Sequence, residues 1–263
     1  MGRPYLANNH FPSRRQKKKL SQVFLRDYSA ISEVFDNLDL KGKTVLEIGA
    51  GTGSITRVLV EKAKKVIALE IDPDACAILK ENLSNNKNLE ILCVDALQAS
   101  LDYPVIVGFL PYHLSSPLLF RILGSGFEEA ILCVQKEFAI RMVAEPGTSA
   151  YSKLSVMAQC RAEITYLATV PKSAFSPVPK VDSALVYLVK RQRCKLNEAL
   201  VSALFQHKNQ NLRKALLHSK KALGLTKESI DDFLRQVPLQ KKARSLSLEE
   251  IAQISVAFER FIS

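Results

Sequence analysis

Three acidic residues and one glycine-rich turn stand at spacings that could hold a ligand. Glu47 precedes Gly49, Gly51 and Gly53, which alternate with Ala50 and Thr52 directly after the apolar run from Thr44 to Ile48. Glycine is needed where the backbone must turn tightly and let a ligand come close. Glu70 ends the next apolar run, where a carboxylate accepts hydrogen bonds from both hydroxyls of a ribose. Asp95 follows Ile91-Leu92-Cys93-Val94, an acceptor placed to read an adenine amine. Each alone could be a turn residue or a helix cap. Three strand ends in series point to a nucleoside ligand, because open α/β sheets bind ligands outside the carboxyl ends of their strands. Nicotinamide enzymes space the last glycine further out and seat a pyrophosphate on a helix N-terminus. Alternating glycines behind an acidic residue suit S-adenosylmethionine, which has an amino-acid portion and no phosphate.

The elements that must position these groups follow from the hydrophobic pattern. Short β-rich runs at Thr44–Ile48, Val66–Ile71, Leu89–Val94, Val105–Val107 and Ala130–Val134 alternate with amphipathic stretches, the signature of a parallel sheet with crossover helices. Ile31, Val34, Phe35 and Leu38 recur at helical spacing behind Asp27, which reads as the N-cap of a helix on the sheet. Alternating stretches at Ala162–Val170 and Ser183–Val189, split by a proline-containing loop from Pro171 to Pro179, predict the last strands. Beyond Lys190 the pattern turns helical and basic. The fold class is therefore α/β, a Rossmann-like sheet, with a domain spanning 1–190 that begins in a basic arm (1–20). A small all-helical domain is expected over 191–263.

The chain has 263 residues, enough for a full core, with 47% hydrophobic residues, which excludes a disordered or fibrous chain. A net charge of +11 requires exposed Lys and Arg, for which a polyanion is the natural partner and a merely soluble basic surface the alternative. Cys76, Cys93, Cys133, Cys160 and Cys194 are odd in number and widely spaced. They read as buried reduced thiols, with neither a disulfide framework nor a metal site. No run is apolar for long enough to span a bilayer and no apolar segment follows the basic N-terminus, so a cytoplasmic protein is expected.

Phe109-Leu110-Pro111-Tyr112-His113-Leu114-Ser115-Ser116-Pro117 follows the fourth strand. With it stand Leu20-Ser21-Gln22-Val23-Phe24-Leu25, Glu70-Ile71-Asp72, Asp95-Ala96, Val134-Gln135-Lys136-Glu137, Leu154-Ser155-Val156 and Phe175-Ser176-Pro177-Val178-Pro179-Lys180-Val181-Asp182-Ser183-Ala184. On these motifs the chain resembles, over nearly its whole length, the KsgA family of ribosomal RNA adenine dimethyltransferases. Leu204-Phe205-Gln206-His207-Lys208-Asn209 and Leu212-Arg213-Lys214-Ala215-Leu216 are similar to its archaeal and eukaryotic branch. The resemblance implies a class I S-adenosylmethionine-dependent methyltransferase, active as a monomer on small-subunit ribosomal RNA or the immature small subunit, with a part in its biogenesis. It places the cofactor against Gln22, Val23, Leu25, Glu47, Gly49, Gly51, Glu70, Ile71, Asp95 and Ala96. It places the target base against Phe109, Leu110, Pro111, Tyr112 and Phe175.

Two positions depart from the family pattern. Family members carry Asn or Asp where this chain has Phe109, and usually Asn where it has Val23. The reaction needs acceptors that hold the adenine N–H groups so that the nitrogen lone pair faces an activated methyl. The Asn side chain would be one and the main-chain carbonyl of Leu110 the other, with Tyr112 stacking on the extruded base. Without the first, slow catalysis or none is expected; alternatively His113, Ser115 or a water supplies the acceptor. Val23 removes a polar contact to the cofactor.

The resemblance also implies that the helical domain and N-terminal arm clamp RNA, with phosphate contacts from Lys17, Lys18, Lys19, Arg213, Lys214, Lys241, Lys242 and Arg244, and recognition by shape. Three readings stand at this point: an adenine dimethyltransferase, a non-catalytic ribosome assembly factor on the same fold, and a nicotinamide oxidoreductase, which the glycine spacing disfavours.

Overall fold

The computed structural model describes residues 23–192, 194–237 and 241–262. In chain order the elements are β1 (Phe24–Leu25), α1 (Ser32–Asp36), β2 (Thr44–Ile48), α2 (Thr56–Lys62), β3 (Lys65–Leu69), α3 (Pro73–Leu83) and β4 (Leu89–Leu92). Then come β5 (Val105–Phe109), α4 (Ser115–Gly124), β6 (Glu129–Gln135), α5 (Lys136–Met142), α6 (Lys153–Gln159), β7 (Ala162–Val170), β8 (Phe175–Ser176) and β9 (Ser183–Lys190). The chain continues through α7 (Glu198–Gln206), α8 (Leu212–Leu223), α9 (Lys227–Gln236) and α10 (Leu248–Ile262).

Two compact units result: the chain up to Lys136 with Thr165–Val189, and Glu137–Ile164 with the chain from Lys190 on. In the first, a seven-stranded sheet runs β4-β3-β2-β5-β6-β9-β7. β2 pairs parallel with β3 and β5, β5 parallel with β6, and β9 antiparallel with β6. The central strands read as near-continuous apolar runs because both faces are covered: Val45, Leu46, Ile106 and Val107 are all fully buried. Each such side chain contributes roughly 1.5–3 kcal/mol by leaving water. Strand order reverses between β2 and β5, so the connections leaving their carboxyl ends diverge and leave a crevice. Register brings those ends level, Ile48 opposite both Leu69 and Gly108.

The predicted strands at the centre of the sheet are present within a few residues. Asp27 caps differently from expectation: its side chain accepts from Ser29 N at 3.0 Å, closing a 3-10 turn at Tyr28–Ala30, and α1 follows without a side-chain cap. A two-stranded ribbon was not expected. β1 pairs antiparallel with β8, Leu25 opposite Phe175, and each strand is too short to carry an alternating pattern.

In the second unit, Asn197, Asn211 and Thr226 cap α7, α8 and α9 through their side chains, and Gly224 ends α8 at φ +68°. Phe233 and Phe258 meet edge to face, centroids 5.5 Å apart. Residues 137–164 pack with this unit, which the change of pattern at 190 does not signal: buried Tyr151 sets its ring 5.5 Å from Phe205, and Lys153 pairs with Glu198 at 3.0 Å.

The expectation of reduced, buried thiols is corrected. Disulfides join Cys76 to Cys93 and Cys160 to Cys194, and Cys133 alone is free and buried. The partners lie 17 and 34 residues apart, and it is the return of the chain through α3 to β4 that brings the Cα atoms of Cys76 and Cys93 within 6.1 Å. Linear spacing carries no trace of that. Among the described residues no helix is long and apolar enough to cross a membrane.

Candidate active site

The crevice beyond β2 and β5 opens as a cleft whose walls come from the strand ends and the turns that follow them. Its first wall is the glycine turn. Gly49 has φ +77°, and a Cβ there would stand 2.9 Å from the Phe109 carbonyl oxygen, so only glycine lets the turn pass the end of β5. The Gly49 and Ala50 amides donate to Leu69 O, binding the turn to β3.

Glu70, 4% exposed, fastens this wall to the next. Its Oε2 accepts from Gly51 N and its Oε1 from Asp72 N, both at 2.8 Å. Burial raises the Glu70 carboxyl, and the bonds from Asp72 and Gly51 oppose the rise. Asp95 forms the third wall: its Oδ1 accepts from Leu97 N at 2.8 Å and caps the turn after β4. Glu70, Ile71, Asp95 and Ala96 line the cleft together with Val23, Gly49 and Gly51. Leu25 and Glu47 line an adjoining recess that shares Val23, Gly49, Gly51 and Phe109 with it. Gln22 lies outside the described residues.

Glu47 is 1% exposed and its Oε2 is buried without a hydrogen-bond partner. Burial pushes its carboxyl up to about 7, an effect that nearby Glu70 reinforces. Thr56 offsets this only in part, its buried hydroxyl making no hydrogen bond of normal geometry. The sign follows from linkage: between 4.5 and about 7 the folded chain keeps a proton that the unfolded chain has lost, so this group's contribution to stability falls as pH rises across that window. Urea unfolding of the ligand-free protein is expected to show native stability dropping by about 2 kcal/mol more than that of Glu47→Gln between about pH 5 and pH 8. Equal slopes for the two would contradict the placement of a carboxyl in this recess.

The far end of the cleft is largely apolar. Phe109 is half-buried, its ring tilted against Phe35 with centroids 6.3 Å apart, and it packs on the same core cluster as Val23 and Tyr28. Leu110 is buried, its amide donating to Cys133 O at 3.1 Å. Pro111 leads into a 3-10 turn, Tyr112–Leu114, that presents Tyr112 to the cleft. Phe175, 3% exposed and held by the β1–β8 ribbon, is also in the lining. Neither alternative acceptor lies there: His113 is exposed, and the buried Ser115 donates its hydroxyl to Pro111 O at 3.2 Å. Sequence reasoning passed over Ser183, whose Oγ lies 2.7 Å from the Tyr112 hydroxyl in the cleft wall. It sat inside the Phe175–Ala184 motif, but nothing in the motif marks it as a partner of Tyr112.

With this geometry in view, the sequence profile described as ribosomal RNA adenine dimethylase matches residues 13–255. The chain belongs to that family. It is 41% identical over 249 residues to the probable ribosomal RNA small subunit methyltransferase A of Thermococcus onnurineus, covering 91% of each chain. It is 38% identical over 255 residues to the protein of that name from Methanococcus aeolicus, covering 90% of this chain and 94% of the relative. Among solved structures, a dimethyladenosine transferase from Plasmodium falciparum superposes with a TM-score of 0.80 at 27% identity, over 90% of this chain and 98% of that one. The 23S rRNA methyltransferase ErmE superposes at 0.66 and 28% identity, over 91% and 100%. The α/β Rossmann-like sheet is that of S-adenosylmethionine-dependent methyltransferases.

The basic residues expected to meet RNA gather in the second unit around the start of α8, where Leu212 N donates to Lys241 O and Asn211 bridges to Lys242. They differ in availability. Arg213 binds Asp231 through Nε at 2.8 Å and a second nitrogen at 3.1 Å, and Lys241 binds Glu250 at 2.6 Å. Arg244 is partly buried, its Nε enclosed and unpartnered. Lys214 and Lys242 are exposed, with no ion pair among the described residues. Lys17, Lys18 and Lys19 lie outside the described residues.

Proposed function

We propose that this family member transfers methyl groups from S-adenosylmethionine to the N6 atoms of adjacent adenines in small-subunit (16S) ribosomal RNA. One observation carries the reading: the ribose-type carboxylate Glu70 and the adenine-type carboxylate Asp95 share a single cleft with Tyr112 and Phe175. Relatives named for the small subunit are 38–41% identical, against 28% for the 23S enzyme, which favours the small-subunit substrate. The donor fits the residues present. Glu47 offers a buried carboxylate oxygen without a partner beside the glycine turn, suited to the cationic amino-acid end of the ligand.

S-adenosylmethionine supplies a methyl made electrophilic by its sulfonium. Glu70 holds the ribose, Asp95 accepts from the adenine amine, and Tyr112 and Phe175 take the target base between them. The Tyr112 hydroxyl is anchored on Ser183, which fixes the plane of the ring. The Leu110 carbonyl accepts one N–H of the target amine and directs its lone pair; S-adenosylmethionine, when bound, would supply the methyl to that nitrogen with S-adenosylhomocysteine as the leaving group, and the proton the amine gives up would pass to water. Phe109 stands where the family resemblance places a second acceptor, so the chain relies on the main chain for this step. In that reading catalysis is slow and binding intact, and the protein works as a monomer in the cytoplasm on immature subunits. The 1–190 region carries the transfer and 191–263 the RNA contact. A protein that binds subunits without turnover is the second reading, and Phe109 is the observation behind it.

The test is nucleoside mass spectrometry of unmethylated small subunits after incubation with S-adenosylmethionine. N6,N6-dimethyladenosine, absent without enzyme, is the expected product; bound subunits with no methylated adenosine after prolonged incubation would move the chain to the second reading.

A further inference from the structure

A partly buried cation beside the cleft spends its donors on main-chain carbonyls instead of an anion. Arg121, on the second turn of α4, donates through one terminal nitrogen to Ala96 O and through the other to Ala99 O at 2.8 Å. Those carbonyls flank the turn that begins at Asp95. The turn closes on itself, Gln98 N and Ala99 N donating to Asp95 O at 2.9 and 3.0 Å, and Leu97 N donating to Asp95 Oδ1. No described residue bonds the second carboxylate oxygen. Hydrogen bonds from a charged donor are stronger and more directional than neutral ones, and a guanidinium fork spanning two carbonyls fixes an orientation as well as a distance.

We propose that Arg121 is a positioning residue that sets base recognition in the cofactor site by holding the Asp95 turn at the angle where its free carboxylate oxygen meets an exocyclic amine. The proposal rests on the reading of the cleft as an adenosyl site. The turn is pinned at both ends: the Cys76–Cys93 disulfide holds the residue two before Asp95, and Arg121 holds the residues one and four after it. The helix that carries Arg121 begins directly after the Tyr112–Leu114 turn, and Leu118, one turn before Arg121, lines the cleft. Arg121 is thereby the link between the wall that reads the cofactor base and the helix behind the target-base motif. Adenine presents N–H donors at its six-position, whereas hypoxanthine presents a carbonyl oxygen there, which a carboxylate repels.

The experiment is calorimetric titration with S-adenosylhomocysteine and its inosine analogue, on the full-length native chain and on Arg121→Met, Arg121→Lys and Asp95→Ala, with melting temperatures for each. The native chain is expected to prefer the adenosyl ligand by about tenfold to a hundredfold, the range of one charge-assisted hydrogen bond. Asp95→Ala abolishes the preference. Arg121→Met narrows it by about tenfold, and Arg121→Lys, which reaches one carbonyl at a time, recovers part of it. A purely structural arginine would weaken both ligands alike and leave the ratio at its native value; that result overturns the proposal. Should Arg121→Met not fold, the ratio for Arg121→Lys decides: below native supports the proposal, equal to native overturns it. If Asp95→Ala keeps the full preference, the adenosyl reading of the cleft falls instead.

Discussion

Phe109→Asn is expected to raise kcat for methyl transfer about a hundred- to a thousandfold, the worth of one preorganised polar contact in such a site, ~3–4 kcal/mol. The side chain at 109 lines both the main cleft and the recess of Glu47, at the end of β5 where the Leu110 carbonyl follows. An amide there adds a second acceptor for the target amine. The same substitution removes the contact with Phe35 and is expected to cost roughly 2 kcal/mol of stability. A faster and less stable variant is thus predicted. Single-turnover rates with saturating small subunits, measured beside thermal melts, test both halves. Unchanged kcat would mean that the target amine gets its orientation elsewhere and that residue 109 has no part in it.

Glu70→Ala is expected to weaken binding of S-adenosylhomocysteine by roughly a hundred- to a thousandfold, because two charge-assisted hydrogen bonds to ribose are lost at about 1.5–3 kcal/mol each, less what water returns. Glu70 also receives the amides of Gly51 and Asp72, so truncation loosens the glycine turn itself. Glu70→Gln separates these effects: it keeps a carbonyl acceptor for one amide and loses the charge, and should fall between the two. Isothermal titration gives the dissociation constants. Affinity within a factor of three of native for Glu70→Ala would remove the ribose from this carboxylate.

The carboxylate walls of the cleft were legible because they follow strand ends. The run Lys65–Leu69 is apolar on both faces after its first residue, so the Glu70 that follows it marks the sheet edge, and parallel pairing with β2 and β4 sets that edge beside the glycine turn and the approach to Asp95. The ribbon of Phe24–Leu25 with Phe175–Ser176 was not legible, since two residues carry no period, yet it is what brings Phe175 to the cleft. Arg121 reads in sequence as one more helical cation; its targets are main-chain carbonyls, which no side-chain pattern announces. Charge is silent about pairing in a related way at α8. Arg213 and Lys241 count toward the basic total, but their pairing with Asp231 and Glu250 depends on helix packing. Exposed pairs of this kind are worth little and can exchange for phosphate, so their neighbours Lys214 and Lys242 are the stronger positions for a salt-dependent contact. The paired cysteines escaped for the same reason: α3 and β4 had to be folded before Cys76 could meet Cys93.

A crystal structure of the protein with S-adenosylhomocysteine and adenosine soaked together tests the shared cleft most directly. The ligand ribose should lie on Glu70, its adenine amine on Asp95 and its amino-acid end in the recess of Glu47, with the second adenine between Tyr112 and Phe175. Density for the adenosyl group anywhere that leaves Glu70 and Asp95 without contact to it would contradict the account.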